Sequence, residues 1–326
     1  MHPFSYFRAR NLHDVHAALR QEGTRVLAGG TTLYDLMKLD IEKPERVVDI
    51  SHLVPEPVRI ENDVLIVDSL MKMSEAADSR ILSLHAPAVR EALLMAASQQ
   101  LRNMASLGGN ILQRTRCSYF RHSAYPCNKK VPGSGCAALE GLNRNHALFG
   151  GSESCIAVYP GDFAVALMAF DAKIEVVGNG GARQVLLSDV HREPGDAPHL
   201  ETNLQPDELI KSVHIPLSES ARASTYLKIR DRESYAFAVV SAAVGVELEG
   251  NLVKDVRIAL GGVATRPWRA IMAEQSLIGR SLDGDTALAA GRTAFAGAAT
   301  TAHNAFKTEL GARVVADALV AAKTRV

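Results

Sequence analysis

Short apolar runs and helical stretches alternate through the first 55 residues, and together they predict a small α/β unit. Residues 11–21 place their apolar side chains on one face of a helix. Residues 24–28 form a short apolar strand that leads directly into Gly29 and Gly30, and a second helical stretch follows. Residues 47–50 read as another short buried strand. The predicted order is therefore strand, glycine turn and helix.

The remaining chain predicts two further regions. Residues 56–218 predict a second α/β region with a hairpin at 58–67, helices at 74–79 and 87–97, and strands at 173–177, 185–189 and 208–216. Residues 219–326 predict a smaller α+β region with strands at 223–229, 237–248 and 253–260 and helices at 270–278, 286–298 and 302–322. We therefore expect an α+β fold with two domains, 1–218 and 219–326. The first domain has two parts that meet near residue 55, and the second has a three-stranded sheet with helices.

Composition and charge exclude some classes of partner. The 326 residues are 47% hydrophobic and 22% charged, which is ordinary for a globular protein. Since 36 basic and 36 acidic side chains give a formal net charge of +0, no broad field favours nucleic acid. No apolar run reaches the length needed for membrane insertion. The first residues lack the charged and apolar segments of a signal peptide, so we expect none.

Two glycine pairs carry the first candidate chemistry. Gly29-Gly30 precedes Thr32 and a helix, and Gly108-Gly109 repeats the pattern. Glycine lets a backbone approach a ligand closely, while successive N–H groups and a helix N-terminus attract an anion. Two such turns are suited to holding the two phosphates of one dinucleotide from two sides. Taken alone, the first pair is more typical of a tight turn in which Thr32 caps the helix.

All four cysteines fall within one loop-like stretch, residues 113–158. They are Cys117, Cys127, Cys136 and Cys155, and no pair has C-x-x-C spacing, so zinc-ribbon and ferredoxin patterns are absent. The stretch has little apolar content with which to fold itself, whereas metal binding would order it. The chemistry favours a metal site over free thiols. Spacing alone leaves a [4Fe–4S] cluster and structural zinc both open.

Together these motifs resemble the FAD-binding medium subunit of the xanthine dehydrogenase/molybdenum hydroxylase family. Residues 28–33 (Ala-Gly-Gly-Thr-Thr-Leu) and 105–111 (Ala-Ser-Leu-Gly-Gly-Asn-Ile) are similar to its two flavin motifs. Residues 228–230, 235–238, 260–264 and 267–270 resemble its C-terminal domain. Most members lack the cysteine stretch. It is similar to the loop that carries a [4Fe–4S] cluster in the flavin subunit of periplasmic aldehyde oxidoreductase and in 4-hydroxybenzoyl-CoA reductase.

The resemblance implies a role for individual residues. Asp162 is expected to hydrogen-bond to the ribityl or phosphate region of FAD. Ile210 and Lys228 are expected to line the flavin ring, where Lys228 would stabilise a reduced, anionic flavin. The implied cluster ligands are Cys117, Cys127, Cys136 and Cys155. The residues expected to hold the FAD pyrophosphate and ribityl through backbone N–H groups are Val26, Leu27, Ala28, Gly29, Gly30, Thr31, Thr32, Leu33, Ser106, Gly108, Gly109 and Asn110.

The resemblance also implies a function in electron transfer. A large subunit with a molybdenum cofactor would oxidise an aldehyde, and [2Fe–2S] clusters of a small subunit would deliver electrons to FAD here. The reduced flavin would then pass the electrons to an external acceptor. In this heterotrimer the [4Fe–4S] cluster would be a second exit for electrons or a structural element. The alternative is a subunit of a 4-hydroxybenzoyl-CoA reductase-like or xanthine dehydrogenase-like enzyme. An FAD subunit with zinc and a non-enzymatic nucleotide-binding protein are further rivals. We expect a periplasmic location, by export in folded form on a partner's signal, or a cytoplasmic one.

Overall fold

The computed structural model describes all residues, 1–326, and contains three β-sheets. The first is a parallel sheet of three strands in the order β1-β3-β2. Asn11 caps the first helix, because its side-chain oxygen accepts from the Asp14 N–H at 3.0 Å. The elements of this part are β1 (Ser5–Arg8), α1 (Leu12–Leu19), β2 (Thr24–Leu27), α2 (Leu33–Lys38) and β3 (Arg46–Asp49).

The second sheet has five antiparallel strands in the order β4-β5-β8-β6-β7. Its elements are β4 (Arg59–Glu61), β5 (Val64–Asp68), α3 (Met73–Asp78), α4 (Arg80–His85), α5 (Pro87–Met95), α6 (Gln99–Arg102), α7 (Leu107–Ile111), α8 (Asp162–Ala169), β6 (Lys173–Gly178), β7 (Gly181–Leu186), α9 (Leu187–Val190) and β8 (Leu209–Pro216). All eight residues of α8 are buried, which explains why all of them except Asp162 are apolar.

The third sheet is antiparallel, with four strands in the order β12-β11-β10-β9. Its elements are α10 (Glu219–Arg222), β9 (Ser224–Ile229), β10 (Val240–Glu249), β11 (Leu252–Gly261), β12 (Trp268–Arg269), α11 (Ile271–Leu277), α12 (Gly284–Ala294) and α13 (Phe306–Lys323). Helix α8 lies against this sheet as well, since a Cβ on Gly261 would lie 2.7 Å from a methyl group of Val165. One buried helix therefore joins the second and third sheets. None of the helices is both long and apolar enough to span a bilayer.

The expected α+β fold is confirmed, with several local differences. The C-terminal sheet has four strands instead of three, because the two-residue strand β12 is too short to leave a periodic pattern. The predicted strand at 185–189 is wrong beyond Leu186, where α9 begins. Its buried residues Leu187 and Val190 are three positions apart, which is helical spacing. Strand β1 was not predicted, since all four of its residues are exposed.

Candidate cofactor site

A cleft of about 750 Å³ lies between the first sheet, helix α7 and the segment that joins β9 to β10. Leu27 and Lys228 are the two predicted cofactor residues that do not line it. Leu27 is buried beside Met37 and Val47. The predicted residues that do line the cleft are Val26, Ala28, Gly29, Gly30, Thr31, Thr32, Leu33, Ser106, Gly108, Gly109, Asn110, Asp162 and Ile210.

The first glycine turn presents a row of free backbone donors to this cleft. The N–H groups from Gly29 to Thr32 donate to no other backbone group of the protein. Gly30 has φ +71, a left-handed conformation that favours glycine. At Gly29 a Cβ would lie 2.1 Å from the Met104 carbonyl oxygen, so only glycine lets the two glycine motifs pack together. The turn is therefore suited to bind an anion at the start of α2.

The second glycine turn is built differently from the expectation. It forms the short helix α7, and Ser106 caps it by accepting from the Gly109 N–H at 3.3 Å. The Gly108 N–H donates to the Ser69 carbonyl at 2.9 Å, and the Asn110 N–H to the Ser106 carbonyl at 2.9 Å. These three donors are thus used within the protein. The Asn110 side-chain Oδ1, in contrast, is buried without a partner, and this orphaned acceptor suits a hydroxyl donor of a bound ligand.

Asp162 begins α8 at the wall of the cleft and is held by two buried groups. Its carboxylate accepts from the Lys228 ammonium at 2.7 Å and from the Tyr226 hydroxyl at 2.6 Å. Burial raises the pKa of Asp162, while Lys228 and Tyr226 oppose that shift. The Lys228 ammonium also donates to the Met95 carbonyl at 3.1 Å, and its side chain is only 1% exposed. Lys228 therefore contacts Asp162 and is absent from the cleft lining, while its expected place beside the flavin ring stays a prediction.

Charged and aromatic side chains that were not among the predicted cofactor residues also line the cleft. Arg114 bridges Glu42 at 2.6 Å and Glu201 at 2.8 Å, and thereby ties the cysteine stretch to the first sheet. The Arg116 guanidinium lies over the Phe237 ring, 5.1 Å from its centroid. The positions of Arg114 and Arg116 at the cleft therefore depend on contacts between residues that are far apart in sequence.

Residues 113–158 contain no helix or strand of their own, and no disulfide joins the four cysteines. Cys127 and Cys136 are directly opposite each other in an isolated antiparallel bridge. Burial raises the pKa of Cys117 to about 11, and the neighbouring Cys127 and Cys136 add to the shift. Burial likewise raises the pKa of Cys155 to about 11. No three His, Cys, Asp or Glu side chains converge on a point suited to a single metal ion.

A buried histidine of the cysteine stretch contacts a buried lysine of helix α13. His146 Nε2 is 3.3 Å from the Cys117 sulfur, and burial together with Lys307 lowers the pKa of His146 to about 4. The Lys307 ammonium is fully buried and donates to the carbonyls of Gly262 at 2.9 Å and His146 at 3.3 Å. Burial lowers the pKa of Lys307 to about 8. Neither residue belongs to a motif, so the sequence held no signal for them.

Comparison with known families shows which family the chain belongs to. The model for the FAD binding domain in molybdopterin dehydrogenase matches residues 2–218. This chain belongs to that family. The model for the CO dehydrogenase flavoprotein C-terminal domain matches residues 225–322. The protein is therefore an FAD-binding oxidoreductase flavoprotein of the molybdenum hydroxylase type, which confirms the resemblance seen in the sequence.

Several relatives match along most of their length. The aldehyde oxidoreductase FAD-binding subunit PaoB of Escherichia coli (strain K12) is 41% identical, and the match covers 100% of both chains. The glyceraldehyde dehydrogenase medium chain of Sulfolobus acidocaldarius is 25% identical over 86% of this chain and 83% of its own. A carbon monoxide dehydrogenase structure from Hydrogenophaga pseudoflava has a TM-score of 0.76 at 24% identity, covering 100% of this chain and 99% of its own. That structural match concerns the fold alone.

Proposed function

We propose that this flavoprotein is the electron-transfer subunit of a heterotrimeric, molybdenum-containing aldehyde oxidoreductase. The proposal rests on the 41% identity, along both whole chains, to a protein named as an aldehyde oxidoreductase FAD-binding subunit. A molybdenum-cofactor large subunit would oxidise the aldehyde, and a small [2Fe–2S] subunit would deliver the electrons. An external acceptor would remove them.

The free N–H groups from Gly29 to Thr32 are the observation that carries the FAD assignment to the cleft. Four consecutive donors at a helix start provide the partners that a pyrophosphate needs, and no protein group competes for them. Asn110 Oδ1 would accept from a ribityl hydroxyl, and Asp162 would face the same ligand with its charge balanced by Lys228. When bound, FAD supplies the chemistry that takes up single electrons and passes on pairs. The chain's own part is to position FAD and to balance its charge.

We also propose that Cys117, Cys127, Cys136 and Cys155 hold a [4Fe–4S] cluster. Support comes from the donor set, which is four thiols gathered in one stretch that has no helix or strand. The similarity of this stretch to a loop that carries a [4Fe–4S] cluster in related flavin subunits favours the cluster over zinc. Metal analysis decides between the two.

Charge near the thiols supports the same proposal. Deprotonated cysteines in a buried stretch need nearby cations, since burial raises their pKa. The Lys129 ammonium lowers the pKa of Cys155 against the effect of burial. The side chain of Lys129 is 11% exposed and donates to the Pro198 carbonyl at 3.0 Å. A buried ammonium fixed in this way would offset part of the negative charge of a thiolate cluster.

The domain division at residue 218 stands as a proposal that limited proteolysis tests. Residues 217–223 connect β8 to β9 through the short helix α10, and Ser220 and Ala221 within that helix are buried. Cleavage of the FAD-loaded chain in this connection would support two domains. Cleavage confined to other loops would contradict the division.

One experiment addresses the substrate and the metal together. The complex containing this chain is isolated anaerobically and assayed with three substrates in turn. These are an aldehyde, a purine, and 4-hydroxybenzoyl-CoA, the last together with a low-potential electron donor. Iron, zinc and acid-labile sulfide are measured on the same sample. We expect aldehyde-dependent reduction of a dye and four irons per chain beyond those of the small subunit. Turnover with the purine or the thioester alone would favour the alternative enzymes, and zinc without the extra iron would refute the cluster.

A further inference from the structure

We propose that His146 is a positioning residue for the cluster: its Nε2–H donates a hydrogen bond to the Cys117 sulfur and makes the cluster easier to reduce. The inference rests on the proposed function, because it requires the [4Fe–4S] cluster. It adds a residue that lies outside both glycine motifs and outside the cysteine set. It also gives the cysteine stretch a connection to the C-terminal sheet and helices.

The contact between ring and sulfur is short and enclosed. His146 Nε2 lies 3.3 Å from the Cys117 sulfur, and the His146 residue is only 4% exposed. The ring is tilted beside Tyr119, with centroids 6.1 Å apart. Because water has little access, a hydrogen bond here is electrostatically stronger than one at the surface.

The position of the ring is fixed from the opposite side of the chain. The His146 carbonyl accepts from the Lys307 ammonium at 3.3 Å and from the Asn304 amide at 3.3 Å. Asn304 also donates to the Ala147 carbonyl at 3.4 Å. Asn304 lies just before α13, and Lys307 lies in its first turn. The backbone that carries His146 is thus held by two buried side chains, which fixes the point from which the imidazole reaches Cys117.

The unused ring nitrogen indicates which nitrogen carries the proton. His146 Nδ1 is buried and has no hydrogen-bond partner. If Nδ1 carried the proton, a buried donor would be orphaned, which is rarer in proteins than an unsatisfied acceptor. A doubly protonated ring would orphan the same donor and add a second charge close to Lys307. The remaining form has its proton on Nε2, which then points a donor at Cys117, and a metal-bound thiolate is an acceptor.

A donor to a ligating sulfur has a definite redox consequence. Reduction adds one electron to the cluster and makes its sulfurs more negative, so a hydrogen bond to sulfur stabilises the reduced state more than the oxidised one. Hydrogen bonds to the sulfurs are among the factors that set the reduction potentials of iron–sulfur clusters. His146 therefore raises the potential of this cluster relative to a chain without the donor.

The test is a redox titration of the full chain, purified anaerobically with its FAD and monitored by the EPR signal of the reduced cluster. His146→Leu removes the donor, His146→Gln keeps an amide N–H near the position of Nε2, and His122→Leu serves as a control at an exposed histidine of the same stretch. We expect His146→Leu to weaken one-electron reduction about tenfold, a shift of about 59 mV to lower potential. His146→Gln should recover most of that shift, and His122→Leu should match the wild type. Equal midpoints in the wild type and His146→Leu would overturn the inference.

A second measurement on the wild-type chain does not depend on the folding of His146→Leu. Pulsed EPR of chain labelled with ¹⁵N-histidine should detect a weak nitrogen coupling to the reduced cluster, and His146→Gln should abolish it. No histidine coupling, or a strong coupling of the kind that iron-bound nitrogen gives, would refute the hydrogen bond. Wild-type chain that contains no iron would instead refute the proposed cluster itself, so the two failures are distinguishable.

Discussion

The buried pair of Asp162 and Lys228 gives the sharpest prediction for stability. The two charges are 2.7 Å apart, and their side chains are only 5% and 1% exposed. Lys228→Met leaves Asp162 buried with Tyr226 as its remaining side-chain partner. An isolated buried carboxyl has a pKa raised by about 3–5 units, so in the variant Asp162 folds in its protonated form.

The magnitude follows from the cost of that proton at neutral pH. An unfolded Asp has a pKa of about 3.9, so taking up a proton at pH 7 costs about 4 kcal/mol, at about 1.36 kcal/mol per unit. The sign follows from linkage. Because the folded pKa of Asp162 in Lys228→Met lies above the unfolded one, the stability of the variant is greatest at low pH and falls as pH rises from about 4 towards 7. The loss in the wild type is smaller, since Lys228 opposes the rise that burial causes in the pKa of Asp162.

Urea unfolding at pH 5 and pH 7, followed by circular dichroism, measures both effects. The double variant Asp162→Asn/Lys228→Met should be more stable than the sum of the two single changes by about 2–3 kcal/mol. Lys254→Met, which breaks an ion pair whose lysine side chain is 60% exposed, is the matched control and should change stability by less than about 1 kcal/mol. The reasoning is refuted if Lys228→Met costs less than about 1 kcal/mol at both pH values.

Three further predictions address the glycine turn and two buried bases. Gly29→Ala places a Cβ 2.1 Å from the Met104 carbonyl oxygen, so the affinity for FAD, measured by fluorescence titration, should fall at least about tenfold. Gly180→Ala is the control and should leave the affinity unchanged, because its Cβ would meet no atom within 4 Å. Lys307 holds its proton less tightly in the folded than in the unfolded chain, because burial lowers its pKa to about 8. In urea titrations, the stability of the wild type relative to Lys307→Met should therefore rise by about 3 kcal/mol between pH 8 and 10.5. A difference that does not change with pH would contradict the lowered pKa of Lys307. Burial lowers the pKa of His191 to about 4, so on acidification the unfolded chain takes up a proton at this histidine before the folded chain does. The wild type should therefore lose about 3 kcal/mol of stability through His191 between pH 6.5 and 4, and His191→Gln should abolish that loss. Parallel plots of stability against pH for the two proteins would exclude this role.

The sequence was most informative where the physical requirement is local. A positive φ at Gly30 and the close backbone approach at Gly29 each demand glycine, whatever surrounds them. Strands β8, β10 and β11 were also predictable, because buried and exposed positions in them carry a clear apolar pattern. The family resemblance then joined motifs that were ambiguous one at a time. Local signals therefore located the first glycine turn correctly.

What the sequence did not reveal depends on contacts between distant residues. Lys228 pairs with Asp162, which lies 66 positions earlier on another element. Lys307 and His146 are 161 positions apart, and nothing in either neighbourhood suggests that they meet. The Gly108 N–H donates to the carbonyl of Ser69, the residue that follows strand β5. Such pairings are set by the packing of sheets and helices, and a single sequence carries no direct signal for them.

The central claim is that one chain holds FAD in the cleft and a [4Fe–4S] cluster on its four cysteines. The most direct test is the visible spectrum of the anaerobically purified chain before and after dithionite, with FAD and iron quantified on the same sample. We predict flavin bands on a broad brown background that bleaches on reduction, with one FAD and four irons per chain. Flavin bands without the background would contradict the cluster, and a colourless chain that takes up no added FAD would contradict the account as a whole.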